Sequence, residues 1–229
     1  MKKTTLFCAT AITTLTALSI ATSASALSVD DTHYTTDASV SFTPNTTAPE
    51  ITNPDVPNPG TGIDSAFAID YASNLDFGSH MVESGERTYY ATLDKTTNNA
   101  LSVVTHDQRG ETTGWTLSVQ QKGQFKNTSN TSLEGASLKF SSGVAMNTSS
   151  TGIYVPTFNS SLGILDPDAT SATPIMSGDG TVGGYAVVFG TQADYGTNDN
   201  TSGPISLTIP SAKVGSFSTT LEYTLEAAR

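Results

Sequence analysis

Thiols, basic side chains and helical periodicity are what this sequence has least of. Cys8 is the single cysteine in 229 residues, so disulfides, thiolate zinc sites and thiol redox chemistry are excluded. Ten Lys and Arg face 21 Asp and Glu, a formal net charge of -11. Polyphosphate binders work by displacing counterions with basic groups, and that balance excludes a nucleic-acid protein. Only 14% of residues are charged and 36% are hydrophobic, while Ser and Thr fill about 66 positions, so the surface must be neutral and polar. No window of helical length repeats its apolar residues every 3.6 positions. His33, His80 and His106 stand far apart, with no His-x-x-x-His spacing, and neither a metal centre nor a cofactor is expected. Nucleophile elbows, phosphate loops and dinucleotide fingerprints are missing too.

The first 26 residues read as a secretory signal peptide. Lys2 and Lys3 form a basic start, Leu6 to Ile20 an apolar, Thr-rich stretch, and Ala24-Ser25-Ala26 a small-residue cleavage site. The stretch is too short and too rich in Thr for a membrane anchor. Cleavage would remove Cys8 and two of the basic residues, taking the charge from -11 to -13. Leu221 to Arg229 carries no apolar stop-transfer run and no sorting pattern, so the chain is expected to be exported without a covalent tether or membrane insertion, and then either released or held by contacts.

Residues 27–229 alternate apolar and polar in short runs. Strands are expected at Ala38–Phe42, Phe67–Tyr71, Tyr89–Leu93, Leu101–Thr105, Trp115–Val119, Ala136–Phe140, Tyr185–Phe189, Ile205–Ile209 and Phe217–Leu225, separated by Gly, Asn, Asp or Pro. One or two more short strands are expected within the irregular stretch 141–176. The predicted fold is all-β, a single antiparallel β-sandwich or partly closed barrel of about nine to eleven strands with long irregular loops. Half of the ten prolines fall in 44–60, an extended arm expected to let an N-terminal edge strand, Ala38 to Thr43, rejoin the sheet.

Three segments carry a resemblance. Asn74-Leu75-Asp76-Phe77-Gly78, then Asp107-Gln108-Arg109-Gly110, then Trp115-Thr116-Leu117 are together similar to the WxL domain of Gram-positive surface proteins, and the likeness spans about 200 residues. A second Trp-x-Leu expected near the C-terminus reads Tyr223-Thr224-Leu225 here, which keeps an amphipathic aromatic and loses the indole N–H. The resemblance implies noncovalent attachment to the cell wall, with peptidoglycan as ligand. It also implies partner surface proteins, both WxL-interacting and covalently anchored ones. Coulomb attraction to a polyanionic wall is excluded by the charge, leaving stacking and neutral hydrogen bonds. Muropeptide amines or a basic partner protein are the other acceptors of the acidic surface, and either would make retention fall with salt.

The candidate contact residues follow from both lines. Trp115 could be a sugar-stacking platform, but it shares a strand face with Leu117 and Val119, which favours the core. Arg109 could clamp a carboxylate or pin its own turn through Asp107. Tyr223 and Leu225 belong to the second motif, and alternation gives Tyr90 and Tyr195 exposed ring faces. Asp194 to Asn200 gathers oxygen ligands without the spacing of a calcium loop, and a polar turn is favoured. The 21 acids include no designated catalytic pair, so the chain is not expected to be an enzyme. Two other readings stay open: an assembly subunit that pairs through an edge strand, and a soluble glycan-binding or hydrolytic module.

Overall fold

The computed structural model describes residues 27–28, 32, 34–35, 38–60, 62–196 and 202–228. The signal-peptide segment and most of the Asp194–Asn200 loop therefore lie outside the described residues. Two units divide at Phe42/Thr43. In the first, β1 (Leu27–Ser28) pairs antiparallel with β2 (Tyr34–Thr35). Ala38–Phe42 is not a strand, which corrects the expected N-terminal edge strand. Its alternation spans three apolar residues, too few to specify pairing.

The second unit holds twelve strands in three antiparallel four-stranded sheets. β3 (Phe67–Ala72), β5 (Leu101–Asp107), β12 (Gly183–Phe189) and β8 (Val144–Asn147) form the first, in that order. β14 (Leu221–Ala227), β6 (Trp115–Gln121), β11 (Thr173–Gly178) and β9 (Thr157–Phe158) form the second. β10 (Gly163–Leu165), β7 (Ser137–Phe140), β13 (Ile205–Ile209) and β4 (Arg87–Tyr90) form the third. Among the described residues none of these sheets closes on itself, so the sandwich reading holds and the barrel does not. The stretch 141–176 contributes β8, β9, β10 and the start of β11, more than the one or two strands expected.

Burial explains the layering. β6 alternates buried and half-buried residues, as a strand with one face on a core must. β5 is buried at every position, so both of its faces are covered. On one face, Tyr185 of β12 packs its ring 5.4 Å from Trp115 of the second sheet, and Phe189, four residues along, lies 5.1 Å from Phe140 of the third. The second and third sheets therefore share that face of the first. The opposite face is covered by the Pro-rich stretch. Gln108 donates to Thr47 O, Thr52 and Asn53 N–H donate to Thr148 O, and Val56 is buried. The arm is an extended strap across the sheet, not a spacer.

Two arrangements fix this architecture locally. A Cβ on Gly178 would lie 2.3 Å from Trp115 Cε2, so only glycine fits opposite the indole. Register slips between Ile69 and Tyr71 place Asp70 as a bulge residue, which turns its carboxylate to the strap side. There Asp70 Oδ2 lies 2.8 Å from Nδ1 of buried His106, whose Nε2 is 2.6 Å from Ser65 O. A carbonyl and a carboxylate both accept, so the ring carries two protons and is an imidazolium. Burial alone would lower the His106 pKa, but the Asp70 carboxylate, the Ser65 carbonyl and the Asp107 charge outweigh it and raise it.

Candidate functional site: a cleft between two sheet connections

A cleft of about 740 Å3 opens between the β3–β4 connection and the β13–β14 connection. Its apolar floor comes from Leu138, Leu207 and Ile209 of the third sheet, with Phe125 and Leu133 beside them. Asn74 to Val82 makes one wall, Ala212 to Thr220 the other, and Leu221 and Tyr223 of β14 close one end.

Each wall is pinned from within. Asp76 Oδ1 accepts the N–H of Gly78, which turns the chain at φ +78°, and the Asp76 carboxylate pairs with Lys95. The bonds from Lys95 and Gly78 hold the Asp76 carboxyl below its usual range. The connection also accepts at Asp76 O the N–H of Thr92, just past β4, at 2.8 Å. His80 Nε2 donates to Phe77 O at 2.6 Å, and its ring stacks on Tyr89 with centroids 3.9 Å apart and planes 21° off parallel. Met81 and Val82 are solvent-exposed at the rim. Across the cleft, Ser218 and Lys126 exchange two backbone bonds of 2.9 Å, Thr219 Oγ1 donates to Gly123 O, and Lys213 Nζ donates to Ser132 O. Gly215, at φ +142°, passes under the Phe217 ring, where an added Cβ would approach to 3.3 Å. The cleft is thus preformed.

Besides two tyrosines, the titratable residues lining it are Asp76, His80 and Lys213. Asp76 is neutralised by Lys95. On a chain of net charge -11 the cleft therefore presents no uncompensated acid.

The expected contact residues divide unevenly. Trp115 and Leu117 are core, 2% and 0% exposed, and out of reach of a ligand. Both motif tripeptides lie side by side, with Leu117 opposite Leu225 and Val119 opposite Tyr223 on paired β6 and β14. Leu225 is half-buried, and Tyr223, also half-buried, reaches the cleft, where desolvation raises its phenol pKa. Arg109 is committed to its own turn. Its Nε and one terminal nitrogen grip Asp107 at 2.9 and 2.7 Å, and its plane lies 4.1 Å over the Phe67 ring. Tyr195 corrects an expectation of exposure. It is 5% exposed, its hydroxyl donating to Phe189 O and accepting from Leu101 N–H. Tyr90 is half-buried, and it is the neighbouring Tyr89 that faces the cleft. Of the calcium-loop reading, described Asp194 caps Thr191 N–H at 2.6 Å.

Phe77, His80, Met81 and Phe217 escaped the reading of the sequence as contact residues. Phe77 stood inside the Asn74–Gly78 segment that carries the resemblance, and this was the available signal. His80 carries no sequence signal beyond that of an isolated histidine without metal-ligand spacing.

No helix among the described residues is long and apolar enough to cross a membrane. No characterised protein and no solved structure matches the chain significantly. Residues 29–228 match the family model of the WxL domain, described as a surface cell wall-binding domain. With nearly the whole sheet-bearing region inside that match, the chain belongs to the WxL domain family and is a cell-surface protein that associates with the cell wall.

Proposed function

We propose that the chain is exported through residues 1–26 and held noncovalently on the wall by residues 27–229, which bind peptidoglycan at the cleft. In this reading it serves as part of a surface protein complex with WxL-interacting and covalently anchored proteins. The observation that carries the wall-binding reading is the cleft itself: preformed, aromatic, without an uncompensated acid, and walled by the family-typical Asn74–Gly78 segment on one side and the second-motif strand at its end. Purified chain should sediment with teichoic-acid-free sacculi and stay bound in 0.5 M salt, because screening does little to stacking and neutral hydrogen bonds. Folded protein left in the supernatant would overturn the reading.

The alternatives draw less support. Edge pairing through Ala38 to Thr43 loses its strand. A hydrolase of the two-carboxylate kind needs an acid whose pKa is raised. Among the described residues, the carboxyls with a clear shift, at Asp76, Asp94, Asp179 and Asp194, all move down.

A further inference from the structure

We infer that the cleft selects the N-acetylated amino sugars of the glycan strand, with the His80 ring, backed by Tyr89, as the stacking platform. This rests on the wall-binding reading and adds which wall chemistry the site takes. A cleft of about 740 Å3 is of ligand size, against roughly 300–1,000 Å3 for small-molecule sites.

Three observations choose the ligand. First, one face of the exposed His80 ring lies on Tyr89, which holds its orientation, and the Phe77 carbonyl anchors Nε2, so the ring is a rigid plate whose Nδ1 has no partner among the described residues. A flat ring of this kind meets the C–H face of a pyranose with little ordering cost. Second, polar and apolar surface are interleaved. The hydroxyls of Ser79, Ser216 and Thr220 find no protein partner among the described residues, while Phe217 and Leu221 present carbon close by. An acetamido group has this same duality: a methyl for the carbon and an amide N–H and C=O for the hydroxyls. A plain hexose lacks the methyl. Third, the cleft offers a polyanion only Lys213, whose ammonium already donates to Ser132 O, within a chain of net charge -11. A phosphodiester polymer needs several cations and is repelled here. The neutral amino-sugar strand is the wall polymer that fits.

The test is calorimetric titration of the purified, exported chain with chitohexaose, with cellohexaose and poly(glycerol phosphate) as comparators. Chitohexaose should bind saturably, cellohexaose at least about ten-fold more weakly, and the polyphosphate not at all. His80→Ala and Ser216→Arg, both at exposed positions, should each weaken chitohexaose about ten-fold or more and leave the thermal unfolding midpoint in place. Equal affinity for the two sugars, no binding of chitohexaose, or unchanged affinity in both variants would overturn the inference. If wild type sediments with sacculi yet ignores chitohexaose, the sugar assignment falls and wall binding stands. If wild type fails to sediment, the wall-binding reading falls first.

Discussion

The Trp115 seam and the cleft both gather aromatic residues around a family motif, and they use them in opposite ways. At the seam, Trp115, Tyr185 and Tyr154 pack ring against ring, with centroids 5.4 and 5.7 Å apart, and a glycine makes room for the indole. At the cleft, His80 stacks on Tyr89 while its other face is open to solvent, and Met81 is 84% exposed. The residues that name the family therefore hold the sheets together, and in the proposed reading contact with the wall falls to segments that the name does not mention. Substitutions at the seam should act through stability. Substitutions at the cleft should act through retention.

The largest effect is expected at the seam. Trp115→Ala removes a buried ring and should cost about 3–5 kcal/mol in urea denaturation, with wall retention lost only in proportion to unfolding. Retention lost in a variant of undiminished stability would place the indole at the ligand and break the comparison. A similar cost, about 3–5 kcal/mol, is expected for His106→Ala, which takes the imidazole away from the Asp70 carboxylate, 7% exposed, while its bond from Ile63 N–H remains.

His106 also sets a pH dependence. Its pKa is raised in the folded chain, so its contribution is fully present below the unfolded value of about 6.5 and is lost as pH rises through the folded value. The stability of the native chain should therefore fall as pH rises above about 6.5, and His106→Gln should flatten that slope. A native slope of the opposite sign would mean that the ring is neutral when folded.

Much of the scaffold was legible because the long strands β5, β6 and β12 bury one face or both. Leu101 to Asp107, Trp115 to Gln121 and Tyr185 to Phe189 alternate or run apolar over five to seven residues, enough to specify strand and register. β9 and β10, of two and three residues, are too short to show a period, and Ala38 to Phe42 shows one without a partner strand. Tyr195 was misplaced because two backbone groups, Phe189 O and Leu101 N–H, make its burial favourable, and both lie far from it in pattern if not in space. The cleft was illegible for a related reason. Its walls are two connections more than 100 residues apart, and only the sheet topology brings residues 74–82 and 212–220 together.

A smaller effect tests whether the indole N–H matters at the seam. Trp115 Nε1 is buried without an acceptor among the described residues. Trp115→Phe thus removes an unsatisfied donor along with some ring area, and the two changes oppose each other. A net cost of about 1–2 kcal/mol is expected, with sacculus affinity unchanged once folded protein is compared with folded protein.

The smallest expected stability change is also the sharpest test of the boundary between the two regions, because Tyr223 belongs to both. It stands on β14 opposite Val119, facing the core, and it also closes one end of the cleft. Tyr223→Trp would rebuild the second Trp-x-Leu. At a fully packed position the larger ring would be overpacked, at a typical cost of about 1–3 kcal/mol. Here the ring is half-buried and opens onto free volume, so the change in urea midpoint should correspond to no more than about 0.5 kcal/mol. The indole can then project into the cleft, enlarge its aromatic surface and change sacculus affinity by a few-fold, which Trp115→Phe should not do. A loss of stability beyond 1 kcal/mol, on the order of overpacking, with affinity unmoved, would assign Tyr223 to the seam and leave the cleft without its β14 end.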